Sequence, residues 1–184
     1  FPVVMKIASK DLPHKTEAGV IRLNVRDADA LRTAYAEVMA NARAVSPPAR
    51  ISGVLVQPQV PGGTEIMIGA RIDPQFGPMI VAGLGGVFVE LLRDTVARLA
   101  PVDQGEALRM LDELRNQQVL AGFRGAAPVS RERVAEVIVR LSEFAADQST
   151  RIAELDLNPL VCAGERIVAV DALIARSPAS VAGS

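Results

Sequence analysis

The sequence has 184 residues, 49% of them hydrophobic and 22% charged, with a formal net charge of −1. That is long enough for one domain, or two small lobes, around a real core, and it excludes a chain that is disordered throughout. Dispersed, balanced charge and an aromatic content of 3% exclude the basic face and base-stacking platform of a nucleic-acid binder.

Cys162 is the single cysteine, so neither an intrachain disulfide nor a cysteine metal site is possible, and a reducing, cytoplasmic compartment fits. It is expected to pack in the core. The longest uncharged run, Pro74 to Val89, is broken by Pro78 and by Gly77, Gly83, Gly85 and Gly86. It falls short of the roughly 20 apolar residues of a spanning helix, so no membrane segment is expected. The chain opens without Met and directly in strand-like residues, and is expected to be a piece of a longer protein.

Pro2–Ala8 and Gly19–Val25 read as two strands joined by a polar loop, with Pro13 and Gly19 punctuating it. Residues 6–21 hold all the lysines, Lys6, Lys10 and Lys15, and the only histidine, His14; every other cation of the chain is arginine. These residue types suit phosphate chemistry. Lysine is a point charge for phosphate oxygens, turned backbone exposes N–H groups, and imidazole accepts a proton or a phosphoryl group. A solvated surface hairpin is the alternative.

Next, Leu31, Ala34, Tyr35, Val38 and Met39 recur at helical spacing behind Asp27 or Asp29 as N-cap, and Ser46-Pro-Pro ends the helix. The runs Ile51–Val60 and Thr64–Asp73, separated by Pro61-Gly-Gly, are expected to pair antiparallel. Further strands follow at Met79–Leu84 and Val87–Asp94, making a meander from residue 51 to about 100. The spacing of Asp103 and Glu106 predicts a capping box ahead of Leu108, Leu111 and Leu114. Ser130 is placed to cap a third helix with Val134, Val137, Ile138, Leu141 and Phe144 as its buried stripe. The chain closes in a hairpin, Ile152–Val161 with Arg166–Ile174, and a Ser/Ala/Gly-rich tail. Helices mixed with mostly antiparallel strands define an α+β class.

Alternation along the closing hairpin puts Glu154, Asp156 and Asn158 on one face, with Leu155 and Leu157 on the other. Pro159 is expected to end this strand, and its return partner to bring Asp171 opposite Asn158. Oxygen-only donors of this kind match Mg²⁺, which takes few protein ligands; the polar side of a half-solvated hairpin is the alternative. The Gly83–Gly86 stretch either presents N–H groups to phosphate or is only a tight turn.

Together these segments resemble the ATP-grasp domain of the ADP-forming acyl-CoA synthetases, relatives of succinyl-CoA synthetase β subunits. The resemblance is carried, in family order, by Pro-Val-Val-Met-Lys-Ile, His14-Lys-Thr-Glu-Ala-Gly, Gln57-Pro, Gly-Gly-Thr-Glu65-Ile-Met-Ile-Gly, Asp73-Pro-Gln-Phe-Gly-Pro, Gly83-Leu-Gly-Gly-Val-Phe-Val-Glu, Phe123-Arg-Gly and Glu154-Leu-Asp-Leu-Asn-Pro-Leu. Where many members have a second glycine after Gly19, this chain has Val20.

The resemblance implies an ATP-grasp fold with a small lobe at residues 1–60, truncated at its N-terminus, a large lobe at 61–176 and a flexible tail at 177–184. ATP or ADP would lie between the lobes. Lys6 would hold phosphates, and the Pro13-His14-Lys15 loop would close over them. Gln57 through Val60 would flank adenine, and Glu65 would bind ribose or a neighbouring polar group. Asn158 and Asp171 would hold Mg²⁺, with Asp156 near the transferred phosphoryl group. His14 would relay phosphate. The implied activity is acid–thiol ligation, carboxylate plus CoA plus ATP to acyl-CoA, ADP and phosphate, with a CoA-binding domain or subunit as partner. A homo-oligomer is compatible with the sequence. A competing expectation is a ligand-sensing ATP-grasp module of a protein lysine acetyltransferase, without ligation.

Overall fold

Residues 1–9, 11, 18–45, 47–86, 94–122 and 127–177 are described by the structure, a computed structural model. The chain divides into two compact units, Phe1–Pro61 and Gly62–Ser184.

In the first unit, β1 (Val3–Ala8) lies between β2 (Ile21–Val25) and β3 (Gly53–Pro58), antiparallel to both. Helix α1 (Ala28–Ala44) starts where Asp27 accepts the N–H of Ala30 at 2.8 Å. It buries Ala34, Val38 and Ala42 against Met5 and Ile7 of β1, and Val20 and Val25 complete this core. Small residues on the contact stripe let the helix approach closely and leave the bulkier Tyr35 on its flank, 50% exposed. Helical spacing alone puts Tyr35 on the apolar stripe with Ala34 and Val38, and the structure leaves it off the core.

The second unit is a mostly antiparallel sheet in the order β6-β5-β4-β7-β8, with β9 also paired to β7. Its strands are β4 (Thr64–Asp73), β5 (Gly77–Leu84), β6 (Thr95–Leu99), β7 (Ile152–Ala163), β8 (Arg166–Ala169) and β9 (Ala172–Arg176). Helices α2 (Gln104–Asp112) and α3 (Arg131–Asp147), with a short 3-10 turn at Gln117–Ala121, supply the rest. Ile66, Ile68, Ile80, Ala82 and Leu84 of the sheet form one core with Met110, Leu111, Leu114 and Ile138. Cys162 is buried in it.

Several local expectations are corrected. Ile51–Val60 and Thr64–Asp73 do not pair: β3 is matched to β1, with Val3 opposite Pro58, while β4 is matched to β5 and β7. The prolines at 58 and 61 lack the N–H groups of a hairpin ladder, and the chain passes there from one unit to the next. The meander is therefore β4-β5-β6, and β6 at Thr95–Leu99 went unread. Of the expected strand at 87–94, only Asp94 is among the described residues.

Asp103 accepts the N–H of Glu106 at 2.7 Å, but the Glu106 carboxylate, instead of reaching back, pairs with Arg98 and Arg109, so half of the capping box forms. Ser130 sits at the N-cap of α3 without a side-chain bond to the helix. The buried stripe of α3 is Val134, Ala135, Ile138, Ser142 and Ala145, and Phe144 is 40% exposed. Ser142 holds this face inward: its hydroxyl donates to the carbonyl of Val139 at 2.7 Å and accepts the N–H of Val102 at 3.0 Å.

Strand β7 runs through Pro159 instead of ending there. Opposite it the pairing gives way on both sides. The β4 register shifts between Ile66 and Ile68, and the outer partner splits into β8 and β9, with the carbonyl of Pro159 still accepting the N–H of Val170 at 3.1 Å. A residue with no donor of its own is accommodated by that bulge.

Candidate functional site

Alternation along β1 turns Met5 and Ile7 into the first unit's core and Lys6 to the opposite face of the sheet. Leu55 and Ile21 stand opposite Lys6 on the neighbouring strands, and Gln57 stands opposite Val4. Lys6 and Gln57 thus share one face with Leu55, which is exposed. Val60 follows β3 and is half-buried. The strand ends here are braced by Gln59, whose amide accepts the N–H of Asn24 at 2.6 Å and donates to the Asn24 side chain at 2.9 Å. Pro13, His14 and Lys15 lie outside the described residues, as does Arg124.

In the second unit, Ile66, Ile68 and Ala70 face the helices, so Glu65 and Gly69 face the other way. Asp156 of β7 stands opposite Gly69, and an alanine Cβ at Gly69 would lie 3.6 Å from its Oδ1. Leu160 pairs with Ala169 of β8 and Leu157 with Ala172 of β9, and counting residues across the gap between the two strands places Asp171 opposite Asn158. Burial, first, and the charges of Glu154 and Asp171 push the Asp156 carboxyl above its ordinary range, against a hydrogen bond from Asn158. Asp156, Asn158 and Asp171 thus lie on one face, where the charges of Glu154 and Asp171 bear on Asp156.

The donor set is two carboxylates and an amide oxygen. Among the described residues no group of three or more His, Cys, Asp or Glu side chains is placed to hold a metal. Such a set fits Mg²⁺, which binds through one or two carboxylates and takes water and phosphate oxygens for the rest.

The glycine stretch serves the sheet. Gly85 donates its N–H to the carbonyl of Glu65 at 2.6 Å, and a Cβ there would meet the Glu65 backbone at 2.9 Å. Gly86, at φ +66°, lies against the Glu65 carboxylate, where a Cβ would be 2.7 Å from Oε2. The Gly85 N–H is therefore committed to the sheet, and Glu65 is held between β4 and this turn.

The first unit thus offers an antiparallel sheet with lysine and glutamine on one face, the second a sheet with an oxygen-rich face, and the family model for an ATP-grasp domain matches residues 1–175. The chain is 41% identical over 172 residues to the β subunit of acetate–CoA ligase [ADP-forming] I of Pyrococcus furiosus, covering 94% of this chain and 74% of that subunit. It is 42% identical over 160 residues to acetate–CoA ligase [ADP-forming] I of Archaeoglobus fulgidus, where it covers 87% of this chain and 23% of the relative. The dinucleotide forming acetyl-coenzyme A synthetase 1 of Ca. Korarchaeum cryptofilum, in complex with coenzyme A, Ca-AMPCP and HgCl+, superimposes with a TM-score of 0.91 at 41% identity over 96% of this chain and 77% of that one. A second structure of that synthetase, with coenzyme A and Mg-AMPPCP and its phosphohistidine segment pointing towards the nucleotide binding site, gives 0.80 at 38% identity, with 96% and 77% covered. The chain belongs to the ATP-grasp family of the ADP-forming acetate–CoA ligases, which are acid–thiol ligases.

Proposed function

We propose that this chain is the nucleotide-binding and phosphoryl-transfer portion of an ADP-forming acyl-CoA synthetase. The reaction is carboxylic acid + CoA + ATP ⇌ acyl-CoA + ADP + phosphate, completed with a CoA-binding domain or subunit and run in the cytoplasm. The observation that carries this reading is the placement of Asp156, Asn158 and Asp171 together on one face of the second unit's sheet, an oxygen-only donor set. Residues 1–60 serve as the smaller lobe and 61–176 as the larger.

Lys6 pairs with phosphate oxygens, Gln57 to Val60 flank adenine and Glu65 takes a ribose hydroxyl. Asn158 and Asp171 hold Mg²⁺, which when bound neutralises charge developing on the phosphate oxygens. Asp156 keeps its carboxylate beside them. Pro13 and Lys15 shape and charge the segment of His14. A ring nitrogen of neutral His14 gives its lone pair to the γ-phosphorus, the bond from that phosphorus to the β–γ bridging oxygen breaks, and ADP leaves with the electron pair. The other ring nitrogen sheds its proton to solvent, leaving a phosphohistidine whose ring is uncharged and whose phosphoryl group keeps its negative charge. Such loose transfers depend mainly on positioning and electrostatics.

The test is mass spectrometry of the full-length protein after Mg-ATP treatment, under conditions that preserve acid-labile phosphate. Phosphate on His14, absent from His14→Ala, is the expected result. Mg-ATP binding with His14 unmodified overturns the relay and favours direct transfer to the partner or a sensing role.

A further inference from the structure

Along β4 the residues that face away from the helices are Glu65, Met67, Gly69 and Arg71. Gly69 stands between Asp156 of β7 and Val81 of β5, and two residues on, Arg71 stands between Glu154 and Met79. Followed from β9 across to β6, these two rows hold no other cation among the described residues.

The row at Gly69 is open. Among the described residues, the atoms within 4 Å of a Cβ built there are the Leu155 carbonyl oxygen at 3.4 Å and Asp156 Oδ1 at 3.6 Å. Neither Met67 nor Arg71, its neighbours on the same face, reaches over it.

Arg71 is turned the other way. Its Nη2 lies 3.5 Å from Oδ2 of Asp73, the next residue of β4 on this face, and its side chain is 66% exposed. Asp73 depends on it little. Its Oδ1 accepts the N–H groups of Gln75 at 2.8 Å and Phe76 at 3.0 Å, and these two bonds, ahead of the Arg71 charge, hold its carboxyl below the ordinary range. An exposed ion pair contributes little, so turning away from it costs Arg71 little.

The contact with Asp73 also measures the reach of the side chain. Asp73 is two residues from Arg71 in one direction and Gly69 two in the other, about 7 Å along the strand in each case. A guanidinium that meets Asp73 can therefore be laid back over Gly69. Neighbouring strands stand about 4.8 Å apart, which brings it beside Asp156.

We propose that Arg71 completes an oxyanion subsite over Gly69: its guanidinium exchanges Asp73 for the terminal phosphoryl group of bound ATP, beside Asp156 and next to the metal ligands Asn158 and Asp171. This rests on the function proposed above. A phosphoryl group in that place meets the Asp156 carboxylate, which repels it. A guanidinium offsets that charge and can pair with two phosphate oxygens at once. ADP, one phosphoryl group shorter, ends before the subsite.

The experiment is calorimetric titration of the full-length protein with Mg-ADP and with Mg-AMPPCP, which carries a third phosphoryl group but does not transfer it. Arg71→Ala is expected to raise the Kd for Mg-AMPPCP about tenfold or more, the worth of a hydrogen bond to a charged group, and to leave that for Mg-ADP within about threefold of the parent. Arg71→Lys, which keeps the charge without the fork, is expected to fall between them, and it also serves if the alanine variant fails to fold. Asp73→Asn keeps an oxygen for the Gln75 and Phe76 N–H groups but removes the competing charge, and is expected to bind Mg-AMPPCP as tightly as the parent or more so. An unchanged Kd for Mg-AMPPCP in Arg71→Ala, or equal losses for both nucleotides, overturns the subsite and leaves the proposed function standing. A parent protein that binds neither nucleotide overturns both.

Discussion

The carboxylate of Asp94 accepts both the backbone N–H of Asn116, at 2.9 Å, and its side-chain amide, at 3.1 Å. With the N–H of Arg115 at 2.8 Å, it ties the chain beyond α2 to the start of β6 from a position only 4% exposed. Burial raises its pKa, but the backbone donors, the Asn116 amide and the Arg115 charge outweigh burial and leave it lowered. Over that window the unfolded chain binds more protons than the folded one, so stability rises with pH there. The contribution is complete above the ordinary carboxylate pKa of about 4 and is lost as pH falls through the lower folded value. Asp94→Asn is therefore expected to cost about 1–3 kcal/mol at neutral pH, because an amide cannot accept all three donors. The difference should shrink in acid. Denaturant melts of both proteins at neutral and acidic pH check this, and a gap independent of pH would count against it.

The elements at either end of the chain were legible because each declares itself locally. The strand pair around His14, the Asp27 cap and the alternation of Glu154, Asp156 and Asn158 each need only a few adjacent residues. Pairing across distance was not. Nothing near Pro58 says that β3 joins β1, since that partnership is written in the hydrophobic faces of strands some fifty residues apart. Pro159 misled for a related reason: a proline ends an isolated strand, but β7 is held on both sides, and its neighbours absorb the missing donor. The ion pair of Asp11 with Arg50 has no local signal, because it joins residues 39 apart in sequence. Asp171, by contrast, was placed opposite Asn158 from the hairpin alone, and the register agrees.

Two glycines of the second unit should differ in their tolerance of alanine. At Gly85 a Cβ would press on the Glu65 backbone at 2.9 Å, and backbone held in a sheet cannot move aside cheaply. Gly85→Ala should cost about 1–3 kcal/mol. By shifting Glu65 it should also weaken Mg-ATP binding. At Gly69 the nearest atoms would lie at 3.4 and 3.6 Å, ordinary contact distances, and the strand conformation suits alanine. Gly69→Ala should stay within about 0.5 kcal/mol of the parent. Thermal melts of the two variants provide the comparison, and equal losses would contradict it.

Lys6 sits in mid-strand between Ile21 and Leu55, on the face away from the core. Its removal should leave the buried packing intact. Under the proposed function, Lys6→Ala should weaken Mg-ATP binding by about tenfold or more, roughly 1.4 kcal/mol, with little change in Tm of the free protein. Lys6→Arg should restore only part, since a planar fork does not replace a compact ammonium at a phosphate oxygen. Calorimetric titration with Mg-ATP decides it, and an unchanged Kd in Lys6→Ala removes Lys6 from the site.

Asp171 offers a test in which metal binding and stability should move apart. Its charge is one of the causes that raise the Asp156 carboxyl, so in the free protein it is a source of repulsion. It also accepts the N–H of Ala172 at 3.1 Å, and an asparagine oxygen can take the same bond. Asp171→Asn should therefore leave the Tm of the free protein unchanged or slightly raised. A bound cation would use the Asp171 charge directly. The same variant should need several-fold more Mg²⁺ to support nucleotide binding, and Asn158→Ala, which removes an oxygen donor, should shift that requirement in the same direction. Nucleotide titrations at graded Mg²⁺ together with thermal melts measure both quantities. A lower Tm with an unaltered Mg²⁺ requirement would make Asp171 a structural turn residue and return the metal assignment to Asp156 and its other neighbours.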